Sequence, residues 1–171
     1  MSGFASLDDA RLYYELAGEG PLVVLVHGFG LDCGMWDSQF ARLAPLYQVL
    51  RYDLRGFGRS SVPEGRPYRH ADDLAALLAH LALSAPAVVV GLSLGGWVAL
   101  SYVLLWPNRV RALVLADAYV GGWRFSPEYR AEMAEVWGAA PTAGLDAARA
   151  RWLGSSRANN PSRSFRASPA T

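Results

Sequence analysis

Short apolar runs rich in valine and leucine constrain the fold of this chain more than any other feature of its sequence. They occupy residues 21–28 (PLVVLVHG), 87–91 (AVVVG) and 109–118 (RVRALVLADA). Runs of this length that end at turn residues are typical of strands covered on both faces. Residues 70–83 carry leucines at the i, i+3, i+4 and i+7 positions of one helical face. Strands that alternate with helices predict an α/β fold, with a mostly parallel sheet and helices on both of its faces.

The same reasoning predicts two further strands at 11–18 and 47–54 and a second helix at about 95–106.

Changes of composition divide the chain into three parts. We expect residues 1–120 to form the N-terminal part of the α/β core and residues 121–153 to form a partial helical lid. Two amphipathic segments are expected in this lid, at 126–138 and 142–154, the first beginning with a Ser-Pro-Glu cap. Residues 154–171 have Phe165 as their only large apolar side chain, so we expect a disordered tail.

Composition narrows the classes of function. The sequence is 52% hydrophobic with a net charge of +1, which favours a globular domain and gives no electrostatic reason to expect nucleic acid or a membrane surface as partner. Residues 81–107 carry no charge, but Pro86 and several glycines interrupt them, so we expect a strand and a helix rather than a membrane span. Cys33 is the only cysteine, which excludes an internal disulfide and favours a reducing, cytoplasmic setting.

The stretch Gly91-Leu92-Ser93-Leu94-Gly95 follows the strand at 87–91 directly. Glycine-x-serine-x-glycine between a buried strand and a helix predicts a sharp turn that lifts the Ser93 hydroxyl above the sheet. Gly91 and Gly95 would be required because side chains there would collide with the neighbouring strand and helix. The helix that begins after Ser93 would present the Leu94 N–H to a developing oxyanion. The alternative is a glycine-rich turn in which the serine is incidental.

Two more motifs follow earlier strands. His27-Gly28-Phe29-Gly30 can offer the Phe29 N–H as a second oxyanion donor. The loop 53–60 (DLRGFGRS) carries charges that we expect to tie the loop down rather than to react. All three motifs fall at the carboxyl ends of predicted parallel strands, which is where ligands bind in open α/β sheets.

Taken in order, HGFGLDCGMW, YDLRGFGRS and GLSLGGWVAL resemble the α/β-hydrolase fold family. Within that family the chain is most similar to 3-oxoadipate enol-lactonases and related small carboxylic-ester hydrolases. The resemblance implies a serine hydrolase, without cofactor or metal, that acts on a small-molecule ester or lactone. Ser93 would attack the acyl carbon, a histidine would accept its proton and an acid would orient that histidine. His27 would be structural.

The sequence departs from this family pattern after Ser93. The family order is serine, acid, histidine, yet no histidine follows His80. His27 could substitute as base but more simply holds neighbouring loops, His70 is expected at a helix start, and His80 is expected in solvent. Asp117 could be the acid or could only end its strand, and Asp146 is expected on the surface of the lid.

These departures suggest a truncated α/β-hydrolase. Without a histidine, catalysis would fall to about 10³–10⁴-fold over water, the level that an oxyanion hole and binding alone provide. The strand at 111–117 would become an open edge, which favours self-association. The competing hypothesis is a non-catalytic fragment that acts by binding or dimerisation.

Overall fold

The computed structural model describes residues 1–63, 65–118 and 126–143, together with positions 147, 150, 151 and 154. These residues belong to two compact units, Met1–Gly121 and Gly122–Thr171. Apart from residue 154, the expected tail at 154–171 lies outside the described residues, so its disorder stays a prediction. The segment expected to form a partial lid, residues 121–153, is described only in part.

A six-stranded sheet forms the centre of the first unit. Its strands are β1 (Ser2–Ser6), β2 (Arg11–Ala17), β3 (Leu22–Val26), β4 (Gln48–Tyr52), β5 (Ala87–Leu92) and β6 (Val110–Ala116). The spatial order is β1-β2-β4-β3-β5-β6. Strand β3 pairs parallel with both β4 and β5, and β5 pairs parallel with β6. The predicted mostly parallel sheet is therefore confirmed.

Strand β3 lies at the centre of the sheet and has no exposed face. All five of its residues are buried. Residues 22, 24 and 26 pack into an apolar cluster on one face of the sheet, whereas residues 23 and 25 pack into a second cluster on the other face. Since both faces are covered, the strand reads as one continuous apolar run rather than as an alternating pattern.

The first two strands are antiparallel, and of the two only β2 was predicted. Strand β1 pairs antiparallel with β2, and β2 pairs antiparallel with β4. Only residues 7–10 connect β1 to β2, which is too short for a parallel crossover and leaves an antiparallel hairpin. The sequence analysis did not predict β1, because SGFAS is short and contains no β-branched residue.

Three helices pack in the first unit: α1 (Asp37–Leu43), α2 (His70–His80) and α3 (Leu94–Leu105). The predicted apolar stripe of α2 is buried at Leu74, Leu77 and Leu78. Helix α2 ends earlier than residue 83, the predicted limit, because Ala82 adopts a left-handed conformation with φ of 54°. Helix α3 lies between β5 and β6 in the chain and ends before Pro107.

The second unit contains α4 (Pro127–Ala143). The Ser126 side chain accepts a hydrogen bond from the Tyr129 N–H (3.2 Å), as expected of the predicted cap. Helix α4 continues past residue 138, where the first lid helix was expected to end. The second expected helix, at 142–154, lies largely outside the described residues.

Strand β6 is an edge strand in the sheet that the described residues form. It pairs with β5 alone. Val114 is 48% exposed and Leu115 is 42% exposed, so apolar side chains on successive positions reach solvent. The expected open edge at 111–117 is therefore present within the described residues.

Candidate active site

The turn between β5 and α3 has the geometry that its sequence predicts. Ser93 adopts φ of 49° and ψ of −108°, a left-handed conformation that is strained for any residue other than glycine. Its N–H donates to the Ala116 carbonyl at the end of β6 (2.9 Å), and its carbonyl accepts from the Trp97 N–H (3.1 Å). The strain is therefore held by backbone bonds to the neighbouring strand and to the first turn of the helix.

Two glycines let the strand, the turn and the helix approach closely. A Cβ at Gly91 would fall within 3.0 Å of the backbone of Gly95 and Gly96. A Cβ at Gly95 would fall equally close to the carbonyls of Val26 and His27, at the end of β3. Both positions therefore require glycine for the steric reason that the sequence analysis gave.

Ser93 is half-buried and sits directly before the first turn of α3. Leu94 is the first residue of this helix, and the first N–H groups of a helix have no intrahelical acceptor. The Ser93 hydroxyl forms no capping hydrogen bond with the first N–H groups of α3. An anion that formed at Ser93 would therefore meet the positive end of the helix dipole.

The turn after β3 lies against the Ser93 turn. Val26 pairs with Gly91 in the sheet register, and a Cβ at Gly28 would meet the Leu92 side chain at 3.3 Å. The Phe29 ring is 37% exposed and makes an edge contact with Phe57, with 5.6 Å between the ring centres. The structure thus brings the two predicted donor-bearing segments into contact.

His27 is completely buried, and the backbone engages both of its ring nitrogens. Nδ1 donates to the Gly28 carbonyl (2.8 Å), and Nε2 accepts from the Leu54 N–H (2.9 Å). Burial lowers the pKa of this imidazole. His27 therefore ties the turn after β3 to the turn after β4, which is the structural role that the resemblance implied, and has no free nitrogen with which to act as base.

The loop 53–60 is fixed by the polar groups that the sequence analysis singled out. Asp53 is 1% exposed; Oδ1 accepts from the Cys33 N–H (2.7 Å) and Oδ2 accepts from the Arg59 N–H (2.8 Å). Ser60 Oγ donates to the Asp53 carbonyl (2.7 Å). The expectation that the charges of this loop tie it down is confirmed for Asp53.

Arg55 extends this arrangement to other elements. Its guanidinium donates twice to the Asp73 carboxylate on α2 (3.0 and 2.6 Å) and once to Asp9 (2.9 Å). Asp73 lies in the first turn of α2 and is buried as the partner of Arg55. Spacing along the chain gave no signal for this pair, because the two residues belong to different elements.

Arg51 is a second buried cation that the sequence analysis missed. It bonds to Glu15, to Asp37 and to the Cys33 carbonyl (3.2 Å). With the Asp53 bond to the Cys33 N–H, both backbone polar groups of Cys33 are therefore held. The sequence did offer a signal for these ion pairs. Arg51 lies inside the apolar strand predicted at 47–54, and a charge that is buried there requires partners.

The other two histidines lie on α2. His80 is exposed, as expected. His70 is the first residue of the helix but does not cap it; its ring makes an edge contact with Tyr68, and its buried Nδ1 has no hydrogen-bond partner among the described residues. Burial, with smaller contributions from the neighbouring His27 and Arg55, lowers the pKa of His70 to about 4.

Asp117 follows β6 directly and is exposed, with φ of 50°. A left-handed residue at this point turns the chain away from the sheet, which fits the strand-ending interpretation. Its role as acid is not tested by this geometry and stays a prediction. Asp146 lies outside the described residues.

Within the described part of the chain, no group of three or more histidine, cysteine, aspartate or glutamate side chains could hold a metal ion. No helix in the same residues has the length and apolar character needed to cross a bilayer.

The chain was compared with known protein families. Residues 21–148 match the model of the alpha/beta hydrolase fold family. The match spans the Ser93 turn, the turn after β3 and the loop 53–60.

Individual relatives agree with this match. The chain is 35% identical over 124 residues to a pimeloyl-[acyl-carrier protein] methyl ester esterase from Vibrio campbellii, covering 71% of this chain and 44% of the relative. It superposes on an enol-lactonase from Burkholderia xenovorans with a TM-score of 0.76 and 30% identity, covering 88% of this chain and 58% of the other. A thermophilic esterase from Thermogutta terrifontis gives a TM-score of 0.73 and 35% identity, with coverages of 84% and 54%. The chain therefore spans about half the length of these relatives.

Proposed function

The chain belongs to the alpha/beta hydrolase fold family, and from that premise we propose that it derives from a hydrolase of carboxylic esters or lactones in which Ser93 is the nucleophile. The observation that carries this proposal is the strained turn at Ser93, held between β5, β6 and the first turn of α3. Strained residues at the end of a buried strand are found where function requires them. The esterase and enol-lactonase relatives support the substrate class.

The chemistry proceeds through an acyl-enzyme. Ser93 Oγ attacks the acyl carbon as its proton passes to a general base, and the oxyanion that forms accepts hydrogen bonds from the N–H groups of Leu94 and Phe29. The alcohol leaves with a proton, and water then hydrolyses the ester formed on Ser93. The start of α3 and its contact with the turn after β3 support this assignment of the two donors.

We propose that the described residues do not supply the general base. His27 is bound at both ring nitrogens, His80 is exposed on α2, and the His70 ring packs against Tyr68 at the start of the same helix. We propose that the 171-residue chain alone is a poor catalyst, at about 10³–10⁴-fold over water, because the oxyanion hole and substrate binding remain without an activated nucleophile. The cytoplasmic location, from the single cysteine, likewise remains a proposal.

A fluorophosphonate probe and a naphthyl ester test this proposal together. We expect slow labelling at Ser93, located by peptide mass spectrometry, and ester turnover more than tenfold below that of a full-length relative. Ser93→Ala should abolish labelling because no other side chain of the turn 91–95 carries a hydroxyl or a thiol. Ser84→Ala, at an exposed serine in the loop before β5, is the matched control and should label like the parent chain.

Three results would contradict the proposal. Labelling that persists in Ser93→Ala would place the nucleophile elsewhere. Absence of labelling in the parent chain would favour the non-catalytic alternative. Turnover within tenfold of a full-length relative would show that the chain does supply a base.

A further inference from the structure

The peptide group between Gly28 and Phe29 is held from its carbonyl side. The Gly28 carbonyl accepts hydrogen bonds from His27 Nδ1 (2.8 Å) and from the Leu31 N–H (3.3 Å). The N–H of the same trans peptide points away from this carbonyl, because the atoms of a peptide group lie in one plane. The two bonds therefore fix the direction in which Phe29 presents its N–H, the proposed oxyanion donor.

The loop 53–60 acts on this peptide group through His27. The Leu54 N–H donates to His27 Nε2 (2.9 Å). A neutral imidazole that accepts at Nε2 carries its proton on Nδ1, and Nδ1 is the nitrogen that donates to the Gly28 carbonyl. Hydrogen bonds in such a chain polarise one another, so the bond at the carbonyl strengthens the Phe29 N–H as a donor. The backbone of the loop thus sets the tautomer that holds the donor peptide.

Phe57 makes a second contact from the same loop. Its ring meets the His27 ring edge to face, with 5.5 Å between the ring centres and 71° between the planes. It meets the Phe29 ring in the same way, at 5.6 Å and 83°. Aromatic rings prefer this arrangement because the positive edge of one ring faces the negative face of the other. One side chain therefore contacts both the donor residue and the histidine that orients its peptide group.

Phe57 is itself held firmly in the loop. Its N–H donates to the Leu54 carbonyl (2.9 Å), and its carbonyl accepts from the Ser60 N–H (3.0 Å). Gly58, the next residue, has φ of 53°, and a Cβ there would collide with the Asp53 carboxylate. The Phe57 ring also packs against the larger apolar cluster of the first unit. A side chain anchored in this way can keep its neighbours in place.

We propose that Phe57 is a positioning residue of the oxyanion hole, acting through His27 and Phe29 rather than by touching the substrate. This role rests on the proposed function of the Ser93 turn and deepens it, since it makes the loop 53–60 part of the catalytic support. Without the ring, the Phe29 N–H is less accurately placed against the developing oxyanion. Stabilisation of the transition state then falls, whereas binding of the ground state does not.

Labelling kinetics over a series of fluorophosphonate concentrations separate these two effects. Ser93 Oγ displaces fluoride from phosphorus as its proton passes to solvent, and the phosphoryl oxygen takes the negative charge that the oxyanion hole stabilises. Phe57→Leu and Phe57→Met remove the ring but keep an apolar side chain. Each should lower the maximal labelling rate constant about tenfold and leave the half-saturating probe concentration within about twofold. Phe57→Tyr keeps the ring and should label within about threefold of the parent chain.

Phe40→Leu is the matched control. Phe40 is a half-buried aromatic residue of α1 that lies under the Arg51 guanidinium and packs against the apolar cluster on the opposite face of the sheet. The substitution removes a ring of the same size without touching the turn after β3, so both labelling parameters should stay within about twofold of the parent values. Urea denaturation of each variant shows that it is folded and how much stability it has lost.

Several outcomes would overturn the positioning role. Phe57→Leu could label like the parent chain, or could change only the half-saturating concentration. Its loss could be matched by that of Phe40→Leu, or could persist in Phe57→Tyr. A parent chain that is not labelled at Ser93 is a distinct result, because it contradicts the proposed nucleophile and the positioning role falls with it.

Discussion

At the scale of single residues, the conformation of Ser93 gives a stability prediction that is independent of catalysis. A left-handed backbone costs about 1–3 kcal/mol for a residue with a Cβ and almost nothing for glycine. Ser93→Ala keeps that cost, whereas Ser93→Gly removes it. We expect the glycine variant to exceed the alanine variant by about 1 kcal/mol in the free energy of unfolding, measured by urea denaturation.

The same pair of substitutions at Ser84 is the control for this comparison. Ser84 does not have a positive φ, so alanine there should be the more stable of the two by several tenths of a kcal/mol. If alanine were also the better residue at position 93, the strained turn would be absent in solution.

At the scale of elements, the loop 53–60 depends on one buried carboxylate. Asp53 accepts hydrogen bonds from the N–H groups of Cys33 and Arg59, and removal of its side chain leaves both donors without that acceptor. We expect Asp53→Ala to lower the free energy of unfolding by about 2–4 kcal/mol. Thermal and urea denaturation measure the change.

Asp72→Ala provides the comparison for this loss. Asp72 forms an exposed ion pair with Arg69 three residues earlier, and such pairs contribute about 0–1 kcal/mol. Equal effects of the two substitutions would mean that the Asp53 bonds do not hold the loop.

The elements also show how far sequence reasoning reaches. The central strands were predictable because burial on both faces leaves a continuous apolar run, as in β3. Strand β1 was not predictable, because it is short and contains no β-branched residue. It is stabilised by its antiparallel pairing with β2 rather than by its own composition. The glycines around Ser93 were predictable because the Gly-x-Ser-x-Gly pattern marks a turn between strand and helix at which backbones approach closely. The Arg55–Asp73 pair was not, because it joins elements that only the folded chain brings together.

At the scale of the whole molecule, His70 makes stability depend on pH. Its pKa is about 4 in the folded chain and about 6.5 in the unfolded chain, because folding buries the ring near Arg55 and His27. Between these two values the unfolded chain binds more protons, so the free energy of unfolding falls as pH falls from about 6.5 to 4. For a half-buried ring we expect about 2 kcal/mol of this loss.

His70→Asn should flatten the curve of unfolding free energy against pH in that window. His80→Asn, a change of an exposed histidine on the same helix, should leave the curve unaltered. A curve that is equally steep in His70→Asn and in the parent chain would mean that other groups, such as the buried His27, cause the acid sensitivity.

Cys33 is 4% exposed, its backbone is held on both sides, and burial raises the pKa of its thiol. The folded protein should therefore react only slowly with maleimides and other thiol reagents. A cysteine introduced at an exposed position such as Ser84 would carry a fluorophore or spin label with little background.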